Sequence, residues 1–175
     1  DGAADEQMED ELTNALHLTK PDIDFNDFRR ELFSPTEANI LVMLTAAKYM
    51  AGKNLEAIRI GEEILFALER SHSRLSDYKV LQINLAHNLS QILQDEGRYQ
   101  EALLYAKKAE NLSICGTEQF LLPEIEFSIA QILNNMKKRQ ESRMRMEALI
   151  PYMRLIGKKR NGRFSSRIFR EKLNK

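Results

Sequence analysis

The chain has 175 residues with a net charge of zero, 43% hydrophobic and 30% charged, and only seven glycines and four prolines. That length holds one domain with a sizeable core, and so few turn formers exclude a turn-rich all-β fold. Leu, Ala, Glu, Lys, Gln and Arg dominate, all of them good helix formers, so the composition predicts an all-α protein. No apolar run approaches the roughly 20 residues of a membrane span, and no charged-then-apolar leader opens the chain. Cys115 has no second cysteine to pair with. These features predict a cytoplasmic protein with no membrane contact. The neutral total hides an acidic start (Asp1, Asp5, Glu6, Glu9, Asp10, Glu11) and a basic end from Lys158 onward. A basic end is either a solvated tail or a surface for nucleic acid or an acidic partner.

In chain order, residues 5–17 read as a loose helix ending before Lys20-Pro21. Phe25, Phe28 and Leu32 suggest a short helix with an apolar edge. Ser34-Pro35-Thr36-Glu37 is a capping box with proline at the first helical position, and it opens a helix to about Met50. Helices follow at about 55–69, 76–95 and 99–114, and Cys115-Gly116 breaks the chain. A helix over 117–136 carries Pro123, tolerable in its first turns or as a kink, and one over 140–156 is expected to kink at Pro151. Beyond Gly157 a basic linker leads to a terminal helix whose Phe164, Ile168 and Phe169 would cap an open end. The expected division is an acidic segment 1–33, a helical domain 34–157 and a basic tail 158–175.

Two stretches align without gaps. Gly52-Lys-Asn-Leu-Glu-Ala57 and Gly97-Arg-Tyr-Gln-Glu-Ala102 share G-x-x-x-E-A, and Lys137-Lys-Arg-Gln-Glu-Ser142 is a degenerate third copy. Repeats at such spacing mean a solenoid of helix pairs. Gly97 can close one helix in the left-handed conformation, Tyr99 packs at the turn, and Ala102, Ala106 and Ala109 line one face of the next helix. Small side chains there let the preceding helix approach closely.

This pattern resembles the tetratricopeptide repeat, with Leu89, Gly97, Tyr99, Ala102 and Ala109 at matching positions and Leu44, Gly52 and Ala57 in the first copy. Ala86 stands where the family has a large aromatic, and the closing proline is missing. Over residues 36–157 the resemblance implies a right-handed α-α superhelix, a solenoid of degenerate tetratricopeptide-like hairpins.

Catalytic and metal patterns are absent from the sequence. His17, His72 and His87 lie far apart without zinc spacing, Cys115 has no nearby base, and the glycines do not cluster into a phosphate loop. The chain is expected not to be an enzyme and to need neither cofactor nor metal.

The strongest functional signal is a stripe. Asn84, Asn88, Gln91 and Asp95 recur at helical spacing with His87 and Gln94 beside them; Glu124, Ser128, Gln131 and Asn135 repeat this 40 residues on, with Asn134 adjoining. The apolar sets Leu81, Leu85, Leu89, Ile92 and Ile125, Ile129, Ile132, Met136 lie opposite. Asn and Gln offer donor and acceptor together, as a peptide backbone does, so such a stripe can hold an extended chain whatever its side chains. The alternative is a neutral solvated face, or amides that bridge neighbouring helices. The candidate peptide contacts are Asn84, His87, Asn88, Gln91, Gln131, Asn134 and Asn135, with Asn88 and Gln91 foremost. The equivalent positions of the earlier helix, Asn39, Met43, Ala46 and Met50, are mostly apolar. They read as core, with acceptance of a ligand's apolar side chains as the alternative. Met144, Met146 and Met153 read as packing or a subunit interface.

From the Phe25–Phe28 segment through the basic tail, the chain also resembles the C-terminal sensor part of bacterial cytoplasmic regulators of the Rgg and PlcR type. That resemblance implies a short signalling peptide in the concave groove, held through Asn84 and Asn88, and a homodimer. DNA would be read only by a helix-turn-helix outside this chain, because acidic residues 1–35 cannot supply one. The competing expectation is a free-standing interaction scaffold for a partner protein's segment. The carboxylate-clamp subtype fits poorly, since the stripes hold no Lys or Arg. A phosphatase-type sensor using Gln91 or Gln131 to position water is a third reading, and nucleic-acid binding through the tail a fourth.

Overall fold

At Ser34 the hydroxyl accepts from the Glu37 amide at 3.3 Å while the Glu37 carboxylate accepts from the Ser34 amide at 2.8 Å. The capping box therefore forms, with Pro35 in the first turn, where a missing N–H costs nothing. The computed structural model describes residues 2–25, 27–28, 31–71, 76–115 and 121–159, and every helix or strand among them is an α-helix apart from one 3-10 residue at Leu121. The helices are α1 (Gly2–Thr19), α2 (Pro35–Met50), α3 (Asn54–Arg70), α4 (Ser76–Asp95), α5 (Tyr99–Cys115), α6 (Leu122–Asn135) and α7 (Arg139–Lys159). The protein is all-α.

One turn joins α2 to α3, α4 to α5 and α6 to α7. Gly52 donates to the Tyr49 carbonyl and Lys53 to that of Lys48; Gly97 and Arg98 donate to Gln94 and Leu93; Lys137 and Lys138 donate to Asn134 and Leu133, all at 2.9–3.0 Å. This is the Schellman closure, which needs a left-handed residue just past the helix end. Gly52, Gly97 and Lys137 supply it with φ of 74°, 72° and 62°. The third repeat has kept the backbone and lost only the glycine. A side chain in that conformation costs roughly 1–2 kcal/mol, partly offset by glycine's greater freedom when unfolded. Lys137→Gly is therefore expected to stabilise the protein by about 0.5–1 kcal/mol, read as a higher urea midpoint at unchanged slope. A midpoint that stays or falls would contradict the strain.

Within each hairpin the helices pack along each other, and the hairpins contact in succession through α3–α4 and α5–α6. The first helices also touch one another, α2 with α4 and α4 with α6. Among the described residues, the α-carbons of α3 and α5, and of α5 and α7, stay more than 8 Å apart. Long polar side chains cross those gaps: Tyr105 donates to Glu62 at 2.9 Å, Lys108 meets Glu69 at 2.5 Å and Arg145 meets Glu110. Burial, and then the bond to Glu62, push the Tyr105 hydroxyl well above its ordinary value, so it remains a donor. The small residues sit where the hairpins close. Ala57, Ala102, Ala106 and Ala109 are fully buried, and Gly61 lies against Leu89 and Thr45.

α1 rests on α2 and carries Leu16 into the same core as Ile23, Phe28 and Phe33. Part of the acidic start has an internal use: Glu9 accepts from Lys48 at 2.5 Å and from Lys53 at 2.9 Å. The short helix expected around Phe25, Phe28 and Leu32 does not form among the described residues, and Leu32 is 73% exposed. Side chains of α3 take over the backbone groups there. The Phe28 amide donates to Glu63 at 3.2 Å and Arg59 donates to the Phe25 carbonyl at 3.2 Å, while Phe25, Phe28 and Phe33 stack edge-on. α6 starts at Leu122 with Pro123 in its first turn, and Pro151 lies inside α7. His72, most of the basic tail and its expected capping helix (Phe164, Ile168, Phe169) lie outside the described residues.

Candidate functional site

Burial on two sides fixes which part of α4 remains open. Leu81, Leu85, Leu89 and Ile92 enter the core on one side, and Ile83, Ala86, Ser90 and Leu93 are buried on the other. What is left along the stripe is Asn84, His87, Asn88 and Gln94, all half-buried, with Gln91 and Asp95 exposed. α6 repeats this: Ile125, Ile129, Ile132 and Leu133 are buried, Gln131 is half-buried, and Glu124, Asn134 and Asn135 are exposed. On α2 the corresponding positions are Asn39, Met43, Ala46 and Met50. Counted from the shared turn, four sets of positions correspond across the three helices. They are Asn39–Asn84–Glu124, Met43–Asn88–Ser128, Ala46–Gln91–Gln131 and Met50–Asp95–Asn135.

Two hydrogen bonds tie the helices near these positions. His87 Nε2 lies 3.0 Å from Ser128 Oγ and 3.3 Å from Gln91 Nε2, joining α4 to α6. Tyr49 donates to Asp95, joining α2 to α4. Burial lowers the His87 pKa and favours its neutral ring, which suits an acceptor facing the Gln91 amide. A serine within reach of an imidazole is also the spacing of a nucleophile and its base. Here Ser128 is 4% exposed, enclosed where α4 meets α6, so the pair serves as a bridge.

Of the candidate contacts, His87 and Gln91 are engaged with each other. The amides of Asn84, Asn88, Gln131, Asn134 and Asn135 bond to no described residue. Such groups have donors and acceptors to give a ligand. Two methionines correct the expectation of core packing: Met43 is 46% and Met50 60% exposed. α2 turns Leu41, Leu44 and Thr45 inward, which leaves those methionines on the open side. Of the methionines expected in packing or at a subunit interface, Met146 is buried and Met144 is exposed. Asn39 donates to the Met43 sulfur at 3.9 Å, a weak contact that leaves the thioether accessible.

A separate cavity of about 610 Å³ opens between α5, α6 and α7, lined by Glu110, Glu126 and Arg145 over Leu122, Ile129 and Leu149. Arg145 bonds both carboxylates, Glu126 at 2.7 Å. Burial, then the bond to Glu110, push the Glu126 carboxyl up. Burial works the same way on Glu110, but bonds from Glu126 and Arg145 outweigh it and hold that carboxyl below the ordinary range. The three side chains satisfy one another across three helices. The amide face is the opposite case, with polar groups left over.

No family model, curated protein or solved structure matches the chain.

Proposed function

We propose that the chain is the peptide-binding sensor domain of a bacterial transcription regulator, with the DNA-reading helix-turn-helix outside this segment. Its hairpins form a right-handed superhelical solenoid of tetratricopeptide-like repeats, and a short peptide lies along α2, α4 and α6. The packing supports this arrangement. First helices that touch, beside second helices that stay apart, make a stack tighter on one side, which curves toward the amide face. In this reading the protein is cytoplasmic and homodimeric, is not an enzyme and uses no cofactor.

The observation that carries the reading is the pair of half-buried, unpartnered amides, Asn84 and Asn88, one helical turn apart on the middle helix. Each can donate to and accept from one peptide unit. A bond of this kind contributes about 0.5–1.5 kcal/mol net, so losing two or three weakens binding about 10- to 100-fold. The test is selection of displayed random octapeptides on the full 175-residue chain, then affinity measurement for the enriched sequences. Asn84→Ala with Asn88→Ala is expected to weaken them by that factor while the melting temperature stays within about 2 °C, as surface changes do. No enrichment on the wild-type chain, or undiminished affinity in the variant, would sink the proposal.

A further inference from the structure

Resting on that peptide-binding reading, we infer that the ligand carries an apolar side chain for Met43 and Met50 and a cationic one for Glu124, about five or six residues apart. Three observations on the open face converge on this chemistry. The α2 end presents two exposed thioethers with half-buried Ala46 between them, an adaptable apolar patch suited to a branched or aromatic side chain. The middle helix presents the free amides of Asn84 and Asn88, which are indifferent to side-chain type. The α6 end presents Glu124, exposed and without a partner.

Charge on the face has one sign. Its carboxylates are Glu124 and Asp95, and no Lys or Arg stands among the stripe positions of α2, α4 or α6. Asp95 already accepts from Tyr49, whereas Glu124 has no partner among the described residues and offers all its acceptor sites to a ligand. Glu124 also lies in the first turn of α6, where a carboxylate favours the helix. That accounts for a small stability contribution, and a neutral substitution separates it from binding.

Spacing follows from the packing. Two interaxial distances of 8–10 Å separate α2 from α6, and Met43 stands one turn, about 5.4 Å, further along its helix than the level of Glu124. The diagonal is roughly 19 Å, which an extended chain at about 3.3 Å per residue crosses in five or six residues. The backbone then passes over Asn88 and Asn84.

The test repeats the octapeptide selection in parallel on the wild-type chain, Glu124→Lys and Glu124→Gln, with thermal melting confirming that each is folded. Wild type is expected to enrich Lys or Arg at least tenfold at five or six positions from Leu, Ile, Phe or Met. Glu124→Lys is expected to exchange that preference for Asp or Glu, and Glu124→Gln to abolish it without losing the apolar preference. Peptides enriched with no charge preference, or a preference unmoved by Glu124→Lys, would overturn this inference and leave the peptide site standing. No enrichment on any of the three would remove the peptide site itself.

Discussion

Cutting Leu89 back to alanine is expected to cost about 2–5 kcal/mol, the range for removing a fully buried leucine, and a methyl added at Gly61 should then recover part of it. Leu89 is completely buried in α4, and a Cβ built on Gly61 of α3 would stand 2.8 Å from its Cδ2 and 3.2 Å from Thr45 Cγ2. Two effects oppose each other at position 61. Alanine gains about 1 kcal/mol over glycine inside a helix, while the clash forces a packed leucine off its rotamer or pushes α3 away, about 1–3 kcal/mol. Gly61→Ala alone is therefore expected to destabilise modestly. In the Leu89→Ala background the contact with the leucine is gone and only the 3.2 Å approach to Thr45 Cγ2 remains, so the same change should stabilise by up to about 1 kcal/mol. Urea unfolding of the four proteins reads the coupling directly. Effects that add to within about 0.5 kcal/mol would mean that α3 and α4 are not held together through this contact.

That close approach was only partly legible in the sequence. The alanine row of α5 announced a tight helix pair because Gly97 and Tyr99 placed the turn beside it. Gly61 sits in a row with Ala57 and Ile64 and lacked any such marker. Helix bounds were legible wherever local chemistry decides them, as at the Ser34 box and the Gly52 and Gly97 closures. The stretch from Phe25 to Phe33 was not, because Glu63 and Arg59 of α3 take the backbone bonds a local helix would have made. No local reading sees a partner 35 residues away.

The candidate face divides the same way. In α4 and α6 polar and apolar residues alternate at helical spacing, so the open stripe could be read without a structure. α2 is apolar nearly all round (PTEANILVMLTAAKYM), and a pattern with no polar side cannot say which way it turns. Met43 and Met50 were therefore expected in the core and lie outside it. The His87–Ser128 bridge depends on the offset between neighbouring helices. The repeat alone sets Asn88, rather than His87, level with Ser128.

Removing the guanidinium at Arg145 should give the most pH-dependent loss. Arg145→Met keeps an apolar stem but leaves Glu110 and Glu126, carried by α5 and α6, facing each other with no hydrogen-bonded counter-charge, Lys107 acting on Glu110 only through space. A fully buried pair broken in this way costs about 3–5 kcal/mol; these carboxyls are partly reached by water, with side chains 13% and 20% exposed, so about 2–3 kcal/mol is expected at pH 7. In the native protein Glu110, held below the ordinary range, adds stability above about pH 4.3 that is lost as pH falls through its folded value. Glu126, pushed up, has the opposite sign: its contribution is full below that pH and is lost as pH rises through its folded value. Without Arg145 both carboxyls shift upward, so the variant binds more protons when folded than when unfolded, and its deficit shrinks toward acid. At pH 4, with protonation largely relieving the repulsion, the difference should fall to roughly 1 kcal/mol. Adding Glu110→Gln and Glu126→Gln to Arg145→Met should flatten the pH dependence and restore part of the loss at pH 7. A deficit that stays constant from pH 4 to 7 would show instead that the loss does not come from unbalanced charge, because only a charge effect titrates.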